Sequence, residues 1–350
     1  MTLLAFLRHL AFVGALALVS AMVVAAMISA RVMDVPNARS SHARPTPKGG
    51  GVGIVVAFML GITVLYGYAD FSRIADPYFR GVILAALAIA VVAFLDDLKN
   101  WPFSIKLAAQ ALAALAAAGT GLYGRVLHLP HVGPVDLGWG GFVLTLAWIL
   151  FATNAMNFID GLNGLAAGTA LVACLFLAWI AAHQSAWFVY FAALLLAAGL
   201  AGFLPFNFPR ARIFMGDVGS QFCGFVLAVL GVAAARFEQV ELSFLLVPAL
   251  LSGVLFDVAF TLLRRALAGE RLTEAHRGHL YQVAQRAGVD ARLVALLHWG
   301  FAAIGGVWCL GFVAAPSRLK PELPLLLLLP QLVWLFYVIA RARRAGIERW

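Results

Sequence analysis

Long apolar runs alternate with short polar clusters along most of this chain. We separate about eleven runs of roughly 17–25 residues, which is the helix length that the hydrocarbon core of a bilayer requires. Runs of this length are too long for the alternating strands of a membrane barrel, so they predict helices. They lie at residues 3–30, 51–69, 79–95, 104–122, 142–158, 164–182, 187–205, 218–235, 242–263, 292–315 and 324–340.

The composition supports a membrane protein. Hydrophobic residues make up 63% of the 350, charged residues make up 12%, and the mean hydropathy is +0.94. Soluble domains average about 45–50% apolar and about 25% charged residues. The predicted fold is therefore an all-α integral membrane bundle of about eleven transmembrane helices, with ten as the alternative count, forming one domain over residues 1–350. The first run is too long for a signal peptide and precedes Arg31, so we expect an uncleaved anchor.

The distribution of Lys and Arg predicts the orientation. The loops after odd-numbered runs, together with the C-terminal tail, hold 18 of the 25 basic residues. Because basic residues favour cytoplasmic loops, the N-terminus is expected outside and the C-terminus in the cytoplasm. The net charge is +9, and the basic residues behind it are scattered over several loops and a tail. It therefore indicates membrane topology and an anionic ligand, and it argues against nucleic acid as a partner.

With this orientation, the polar clusters at the ends of the apolar runs all fall on the cytoplasmic side. In one of them, Asn154, Asn157 and Asp160 recur every third residue and form a polar stripe on a helix. Such a stripe beside lipid is costly unless it binds something polar. The other clusters are Ser40–Gly53 with Lys48, Asp96-Asp97 followed by Lys106, Asn207–Asp217, and Glu274–Gln282 with His276, Arg277 and His279.

The residue types in these clusters match one chemistry. Carboxylates and carboxamides are the oxygen ligands that Mg²⁺ accepts, and substrate phosphate usually completes its coordination. Lys and Arg neutralise further phosphate charge. Phosphoryl transfer depends mainly on positioning and charge neutralisation. The clusters therefore predict magnesium-dependent phosphoryl transfer at the depth of a lipid head group.

Each cluster also has a structural explanation. Asp217 could be the N-cap of the eighth helix. The glycines after Lys48 could form a flexible loop that re-enters the membrane, since no Gly-Lys-Ser/Thr follows to complete a phosphate loop. His276 and His279 could simply be solvated in a polar loop.

Two acidic sites need a partner in any interpretation. Asp96 and Asp97 close a helix where the dipole disfavours acids, so they require a cation or Lys99 nearby. Adjacent helical residues point about 100° apart, so the two are expected to have different tasks. Asp257 lies inside the ninth run, where an acid is functional by default. A structural hydrogen bond explains it equally well, and it is left outside the catalytic set.

Together these motifs resemble the polyprenyl-phosphate N-acetylhexosamine-1-phosphate transferases, glycosyltransferase family 4, over nearly the whole chain from Pro45 to Gln282. The resemblance implies attack of a membrane polyprenyl (undecaprenyl) phosphate on the β-phosphorus of a UDP-N-acetyl sugar, with UMP released and Mg²⁺ required, Mn²⁺ being a candidate substitute. It implies a bacterial inner-membrane enzyme with a cytoplasmic site, and a homodimer is an open alternative. By this resemblance, the catalytic pair is Asp96 and Asp97, the metal ligands are Asn157 and Asp217, and the substrate-binding residues are Lys48, Lys106, Asn154, Asp160, Asn163, Asn207, His276, Arg277 and His279.

The last polar cluster favours one branch of that family. In the peptidoglycan branch of the family, the corresponding segment resembles a run of consecutive histidines. This chain instead reads His-Arg-Gly-His-Leu-Tyr-Gln from His276 to Gln282. This resembles the O-antigen or surface-polysaccharide branch, whose donors are UDP-GlcNAc or UDP-linked deoxy-amino sugars. Asn163 replaces an acid present in many relatives, which puts a base role there in doubt. The peptidoglycan branch (phospho-MurNAc-pentapeptide transferase) stays an alternative.

Two further alternatives concern class and mechanism. A lipid transporter or flippase would place its polar groups near the midplane between inverted repeats, which this chain does not show. An alkyl phosphate has a second pKa of about 6, so the acceptor is already mostly dianionic at pH 7. We therefore favour direct in-line attack with Asp97 (or Asp96) orienting the acceptor. A covalent aspartyl-phosphate intermediate is the alternative.

Overall fold

A computed structural model describes residues 3–34, 44–68, 77–99, 101–129, 133–235, 243–274, 276–315, 326–347 and 350. Residues 40–43 of the first polar cluster, and several of the basic residues counted for orientation, lie outside this part of the chain. The described chain is mostly helical, as predicted. The helices are α1 Leu3–Ala30, α2 Gly51–Tyr68, α3 Pro77–Lys99, α4 Phe103–Gly119, α5 Trp139–Ile159, α6 Leu165–His183, α7 Trp187–Asn207, α8 Gly216–Ala235, α9 Leu246–Leu250, α10 Ser252–Leu267, α11 Leu280–Arg286, α12 Ala291–Ala314 and α13 Leu328–Arg344.

Seven helices in the described residues are long and apolar enough to cross a membrane, namely α1, α3, α5, α6, α7, α8 and α12. The helices α2 and α4 are shorter apolar helices. Each lies within a few residues of a predicted run. The structure therefore supports a multi-pass helical membrane protein, while the count of eleven spans and the orientation stay predictions.

The ninth predicted run is not one helix, which corrects the expectation of a continuous span. The helix α9 ends at Leu250 and α10 begins at Ser252, with Leu251 between them at φ −99° and ψ 14°. A Ser-Gly pair follows the break, and such pairs are a common cause of sharp kinks. The Oγ of Ser252 accepts a hydrogen bond from Gln331 Nε2 on α13 at 2.9 Å, and a Cβ on Gly253 would meet the ring of Phe301 on α12.

Two short antiparallel ribbons also depart from the all-α prediction. Strands β1 (Met33–Asp34) and β2 (Thr46–Pro47) pair with Asp34 opposite Thr46, and β3 (Val126–Leu129) pairs with β4 (Gly133–Asp136). They join helix ends and are too short to show a hydrophobic period. The first ribbon matters for the site, because the Lys48 N–H donates to Val32 O at 2.8 Å and so fixes Lys48 beside the end of α1.

The helix α8 lies at the centre of the bundle, packed against α2, α3, α5 and α7. Small residues allow this close approach, as is usual between membrane helices. A Cβ on Gly224 would lie 2.8 Å from Thr153 Cα of α5, and a Cβ on Gly51 of α2 would meet the backbone of Gly219. Because α8 is so enclosed, the acid in its first turn, Asp217, is held where several other helices end.

Candidate active site

A polar cavity of about 290 Å³ lies at one end of the bundle. Most of its acids and amides come from the ends of α3, α5 and α7 and from the start of α8, with Asp34 added from β1 and Gln282 from α11. Seven of the thirteen predicted site residues line it, so residues from distant polar clusters lie together here. The lining residues are Asp34, Lys48, Asp97, Asn157, Asp160, Gly161, Leu162, Asn163, Asn207, Phe214, Met215, Gly216, Asp217 and Gln282.

The adjacent acids at the end of α3 contact different partners, in keeping with the angle of about 100° between neighbouring helix positions. Asp96 Oδ2 lies 2.7 Å from Lys106 Nζ, and its Oδ1 accepts the Trp101 N–H at 2.7 Å. Asp97 Oδ2 accepts the Val218 N–H at 3.2 Å, while its Oδ1 is 3.6 Å from Lys48 Nζ. Both carboxylates are buried. Asp97 lines the cavity and Asp96 lies behind it.

The position of Asp97 also explains why an acid is tolerated at the end of α3. Its carboxylate faces the first turn of α8, where the helix dipole favours negative charge. Gly216 makes this approach possible. It has φ +74°, a conformation that costs other residues energy, and a Cβ there would lie 2.6 Å from Asp97 Oδ2.

Lys106 bridges the acids of α3 and α8. Its Nζ lies 2.7 Å from Asp96 Oδ2 and 3.1 Å from Asp217 Oδ2. Asp217 Oδ2 also accepts from Gln221 Nε2 at 3.1 Å. The bridging lysine therefore fixes Asp217 and compensates two acids at once.

A ladder of buried amides continues from Asp217 to the polar stripe. Gln221 Oε1 accepts from Gln110 Nε2 at 2.9 Å, and Gln110 Oε1 accepts from Asn154 Nδ2 at 2.7 Å. Asn154, predicted to bind substrate, thus lies behind the cavity wall and supports it. The two glutamines were missed from the sequence. Each lies four residues after a predicted site residue, Lys106 or Asp217, and so on the same helix face.

The remaining stripe residues reach the cavity around the α5–α6 turn. Asn157 Oδ1 accepts a hydrogen bond from Ser220 Oγ at 2.8 Å. Asn207 ties this turn to the segment before α8, because its Oδ1 accepts the Gly164 N–H at 2.6 Å and its Nδ2 donates to Ile213 O at 2.9 Å. Asn163 completes this wall.

Asp160 is the least compensated acid of the site. Burial, and then the negative charges of Asp217 and Asp97, raise the pKa of its carboxyl well above the usual value. Within the described residues it receives no hydrogen bond that would offset this. A carboxylate in this setting favours a cation or a hydrogen-bond donor from a ligand.

The glycine segment after Lys48 has a packing function. The N–H groups of Gly50 and Gly51 donate to the carbonyls of Phe214 and Met215 at 2.9 and 2.8 Å. Those amides are therefore used within the protein, and a Cβ on Gly50 would meet the ring of Phe203. The side chain of Lys48, rather than the glycine backbone, faces the cavity.

The last polar cluster lies beside the cavity, and none of its three predicted site residues lines the cavity wall. His279 is buried with its Nδ1 3.0 Å from Asp257 Oδ1. His276 Nδ1 accepts the Gly278 N–H at 3.1 Å. Burial, and then the nearby positive groups His279, Arg265 and Arg264, lower the pKa of His276 to about 4. Arg277, like both histidines, is absent from the cavity wall, which Gln282 reaches instead.

The donor set of the cavity fits a magnesium ion. Among the described residues, no three His, Cys, Asp or Glu side chains stand close enough to ligate one metal ion together. Mg²⁺ does not need such a cage, since it is usually held by one or two carboxylates together with substrate phosphates and water. The cavity offers the carboxylates of Asp97, Asp160 and Asp217 and the amide of Asn157. The uncompensated Asp160 marks the excess of negative charge that a cation would offset.

The fold and the cavity define a class: an integral membrane protein with an acidic, amide-rich site where its apolar helices end. Comparison with known proteins identifies the family within this class. The sequence pattern of Glycosyl transferase family 4 matches residues 79–235. The decaprenyl-phosphate N-acetylglucosaminephosphotransferase of Mycobacterium tuberculosis is 31% identical over 83% of this chain and 79% of its own length. The probable undecaprenyl-phosphate N-acetylglucosaminyl 1-phosphate transferase of Bacillus subtilis is 28% identical over 82% of this chain and 76% of its own length.

A second group of relatives matches a shorter region. The phospho-N-acetylmuramoyl-pentapeptide-transferase of Lactobacillus gasseri is 34% identical over 44% of this chain and 52% of its own length.

The family pattern and the long matches to the Mycobacterium tuberculosis and Bacillus subtilis relatives decide the family. The chain belongs to the polyprenyl-phosphate N-acetylhexosamine-1-phosphate transferases, glycosyltransferase family 4, and is a sugar-phosphate transferase. This confirms the family resemblance drawn from the motifs.

Proposed function

We propose that this protein transfers an N-acetylhexosamine-1-phosphate from a UDP-sugar to undecaprenyl phosphate, giving polyprenyl-diphosphoryl-sugar and UMP. The observation that carries the proposal is the meeting of Lys48, Asp97, Asn157, Asp160 and Asp217 in one cavity at the end of apolar helices. A lipid phosphate and a water-soluble nucleotide can both reach such a place.

The reaction is an in-line displacement. An oxygen of the lipid phosphate forms a bond to the β-phosphorus of the UDP-sugar, and the bond from that phosphorus to the bridging oxygen breaks as UMP leaves. Asp97 is the acid on the cavity wall, so it orients the acceptor phosphate and takes its last proton when one is present. Lys48 and Lys106 oppose the phosphate charge. Because the acceptor needs little activation, positioning supplies most of the catalysis.

Mg²⁺ would be held by Asn157 and Asp217 together with oxygens of the nucleotide diphosphate. When bound, it supplies charge neutralisation along that diphosphate. The bridge from Lys106 and Gln221 to Asp217 Oδ2 fixes the carboxylate in advance. Asp160, Asn163 and Asn207 form the wall on which the sugar and nucleotide would lie.

Two observations favour N-acetylglucosamine and a surface polysaccharide such as O-antigen. The relatives named for N-acetylglucosamine transfer match more than four-fifths of the chain, whereas the pentapeptide transferase matches 44%. The last cluster also reads His276-Arg-Gly-His279 without consecutive histidines. We place the site at the cytoplasmic face of a bacterial plasma membrane, because 18 of the 25 basic residues fall in the loops and tail on the same predicted side, and basic residues favour the cytoplasm.

The decisive experiment is UMP release by purified protein with undecaprenyl phosphate, Mg²⁺ and a panel of UDP-sugars. The panel contains UDP-GlcNAc, UDP-GalNAc, UDP-linked deoxy-amino sugars and UDP-MurNAc-pentapeptide. We expect the highest kcat/KM with UDP-GlcNAc. Preference for the pentapeptide donor would favour the peptidoglycan branch, and no UMP from any donor would refute the proposal. Direct displacement further predicts sequential kinetics and no labelled enzyme after incubation with β-³²P-labelled UDP-sugar alone.

A further inference from the structure

Asp257 is a buried acid on α10 that the reaction described above does not use. It is 1% exposed and does not line the cavity. Burying a carboxylate is costly unless hydrogen bonds satisfy it. Four donors do so here: Leu280 N–H and His279 Nδ1 at 3.0 Å and Thr261 Oγ1 at 3.3 Å on its Oδ1, and Tyr281 N–H at 3.0 Å on its Oδ2.

Three of these four donors come from another segment. Leu280 and Tyr281 are the first residues of α11, and His279 immediately precedes them. The first N–H groups of a helix have no partner within it. The Asp257 carboxylate on α10 therefore accepts hydrogen bonds from the first N–H groups of α11. More than twenty residues separate the two positions along the chain. This carboxylate therefore acts together with the local cap, in which Gln282 Oε1 accepts the His279 N–H at 3.4 Å, to fix where the last polar cluster begins its helix.

The residues held in this way touch the cavity wall. The ring of Tyr281 is buried, and its hydroxyl donates to Phe158 O at 3.0 Å. A Cβ on Gly161 would meet the same hydroxyl, so the α5–α6 turn packs directly on this ring. The next residue, Gln282, lines the cavity together with Asp160 and Asn163.

We propose that Asp257 is a positioning residue that sets the shape of the sugar-nucleotide wall through Tyr281 and Gln282. The proposal rests on the proposed function for its substrate. It follows that loss of Asp257 acts on the UDP-sugar more than on the lipid acceptor, because the α5–α6 turn carries the donor wall. The acids of α3 and the two lysines stay in place without it.

The kinetic test uses Asp257→Asn and Tyr281→Phe, with Thr261→Val as the matched control. Thr261 donates to the same carboxylate from within α10, at 3.3 Å, so its removal leaves the three hydrogen bonds from residues 279–281 to Asp257 in place. A displacement of about 1 Å far from the chemistry can cost about 100-fold in rate. We expect the KM for UDP-sugar to rise about tenfold or more in Asp257→Asn and to rise in Tyr281→Phe. The KM for undecaprenyl phosphate stays within twofold in both variants, and Thr261→Val resembles the wild type.

Combining the two changes separates positioning from general damage. If Asp257 acts through Tyr281, the effects on the donor KM are not additive in the double variant. An unchanged donor KM in both single variants, an equal rise for both substrates, or strict additivity overturns the proposal. If Asp257→Asn fails to fold, Tyr281→Phe alone decides it by the same split between the two KM values.

Hydrogen exchange tests the anchor of α11 without any substrate, the anchor being the hydrogen bonds from Leu280 N–H and Tyr281 N–H to the Asp257 carboxylate. The amides of Leu280 and Tyr281 should exchange at least about tenfold faster in Asp257→Asn than in the wild type, because each loses its charged acceptor. Exchange in α12 should not change. Unaltered protection at residues 280–281 overturns the anchor. This readout stays valid even if no UDP-sugar proves to be a donor, so failure of the anchor and failure of the transferase proposal are distinguishable.

Discussion

Replacing Lys106 by Met tests the ion bridge on which the site depends. The change keeps the length of the side chain but removes the cation shared by Asp96 and Asp217, at 2.7 and 3.1 Å. Removing one partner of a buried ion pair costs about 3–5 kcal/mol, because the remaining charge is left uncompensated. The side chains of Lys106 and Asp217 are 24% and 25% exposed, so solvent screening brings the expected loss to about 3 kcal/mol.

The assay is thermal unfolding of the purified protein in detergent with EDTA present. We expect the midpoint of Lys106→Met to fall by roughly 5 °C or more, and UMP release to fall by about 100-fold or more. Lys99→Met is the control, since Lys99 is an exposed lysine at the end of α3, the helix that carries Asp96. That surface change should stay within about 0.5 kcal/mol.

A second substitution makes the test sharper. Adding Asp96→Asn to Lys106→Met removes one of the two stranded negative charges and should recover part of the lost stability, without restoring activity. If Lys106→Met melts like the wild type, or if the double variant is less stable than Lys106→Met alone, the charge argument is wrong.

Four further changes test other parts of the site. Asp217→Ala should abolish UMP release while membrane expression is kept, and a fully active variant would remove Asp217 from the metal site. EDTA should stop turnover, and added Mg²⁺ or Mn²⁺ should restore it; turnover in EDTA would contradict the metal requirement. Because the pKa of His276 is lowered to about 4, the unfolded chain binds a proton at this position before the folded protein does. The stability contributed by the neutral imidazole is therefore present above about pH 6.5 and lost as the pH falls towards 4. Between these pH values, the free energy of unfolding measured by urea titration should fall less in His276→Gln than in the wild type. Gly216→Ala forces a side chain into a left-handed backbone beside Asp97 and should cost at least about 1–2 kcal/mol and most of the activity. The helix-end control Gly119→Ala, whose added Cβ meets nothing within 4 Å, should be neutral in the same melting assay.

Much of the fold follows from hydropathy, because the membrane imposes helix length and makes polar residues costly within a span. The predicted run at 187–205 and α7 (Trp187–Asn207) differ by only two residues at one end. The break at Leu251 escaped the prediction, because the run at 242–263 is apolar enough overall to read as one span and the Ser252-Gly253 pair interrupts it only briefly. The ribbon that places Lys48 was missed because two-residue strands leave no periodic signal.

The candidate site was predictable as far as spacing along one helix allows. The stripe of Asn157 and Asp160 does reach the cavity. Which helix faces which depends on packing, so the pairing of Gln110 with Gln221 could not be read from the sequence. The same limit applies to Asp257, since three of its four donors lie 22 to 24 residues further along the chain.

The environment of the two adjacent acids separates their roles more clearly than their sequence can. Both oxygens of Asp96 are occupied by protein groups, Oδ2 by Lys106 and Oδ1 by the Trp101 N–H, and the side chain lies off the cavity wall. Asp97 instead has one oxygen on a helix N-terminus and the other 3.6 Å from Lys48, facing the cavity. A carboxylate that takes a proton from a phosphate must present a free oxygen to it. Asp97 can do so without breaking a short contact, whereas Asp96 would have to release Lys106, and Asp217 with it. We therefore propose that Asp97 contacts the acceptor and that Asp96 holds Lys106 in place against Asp217.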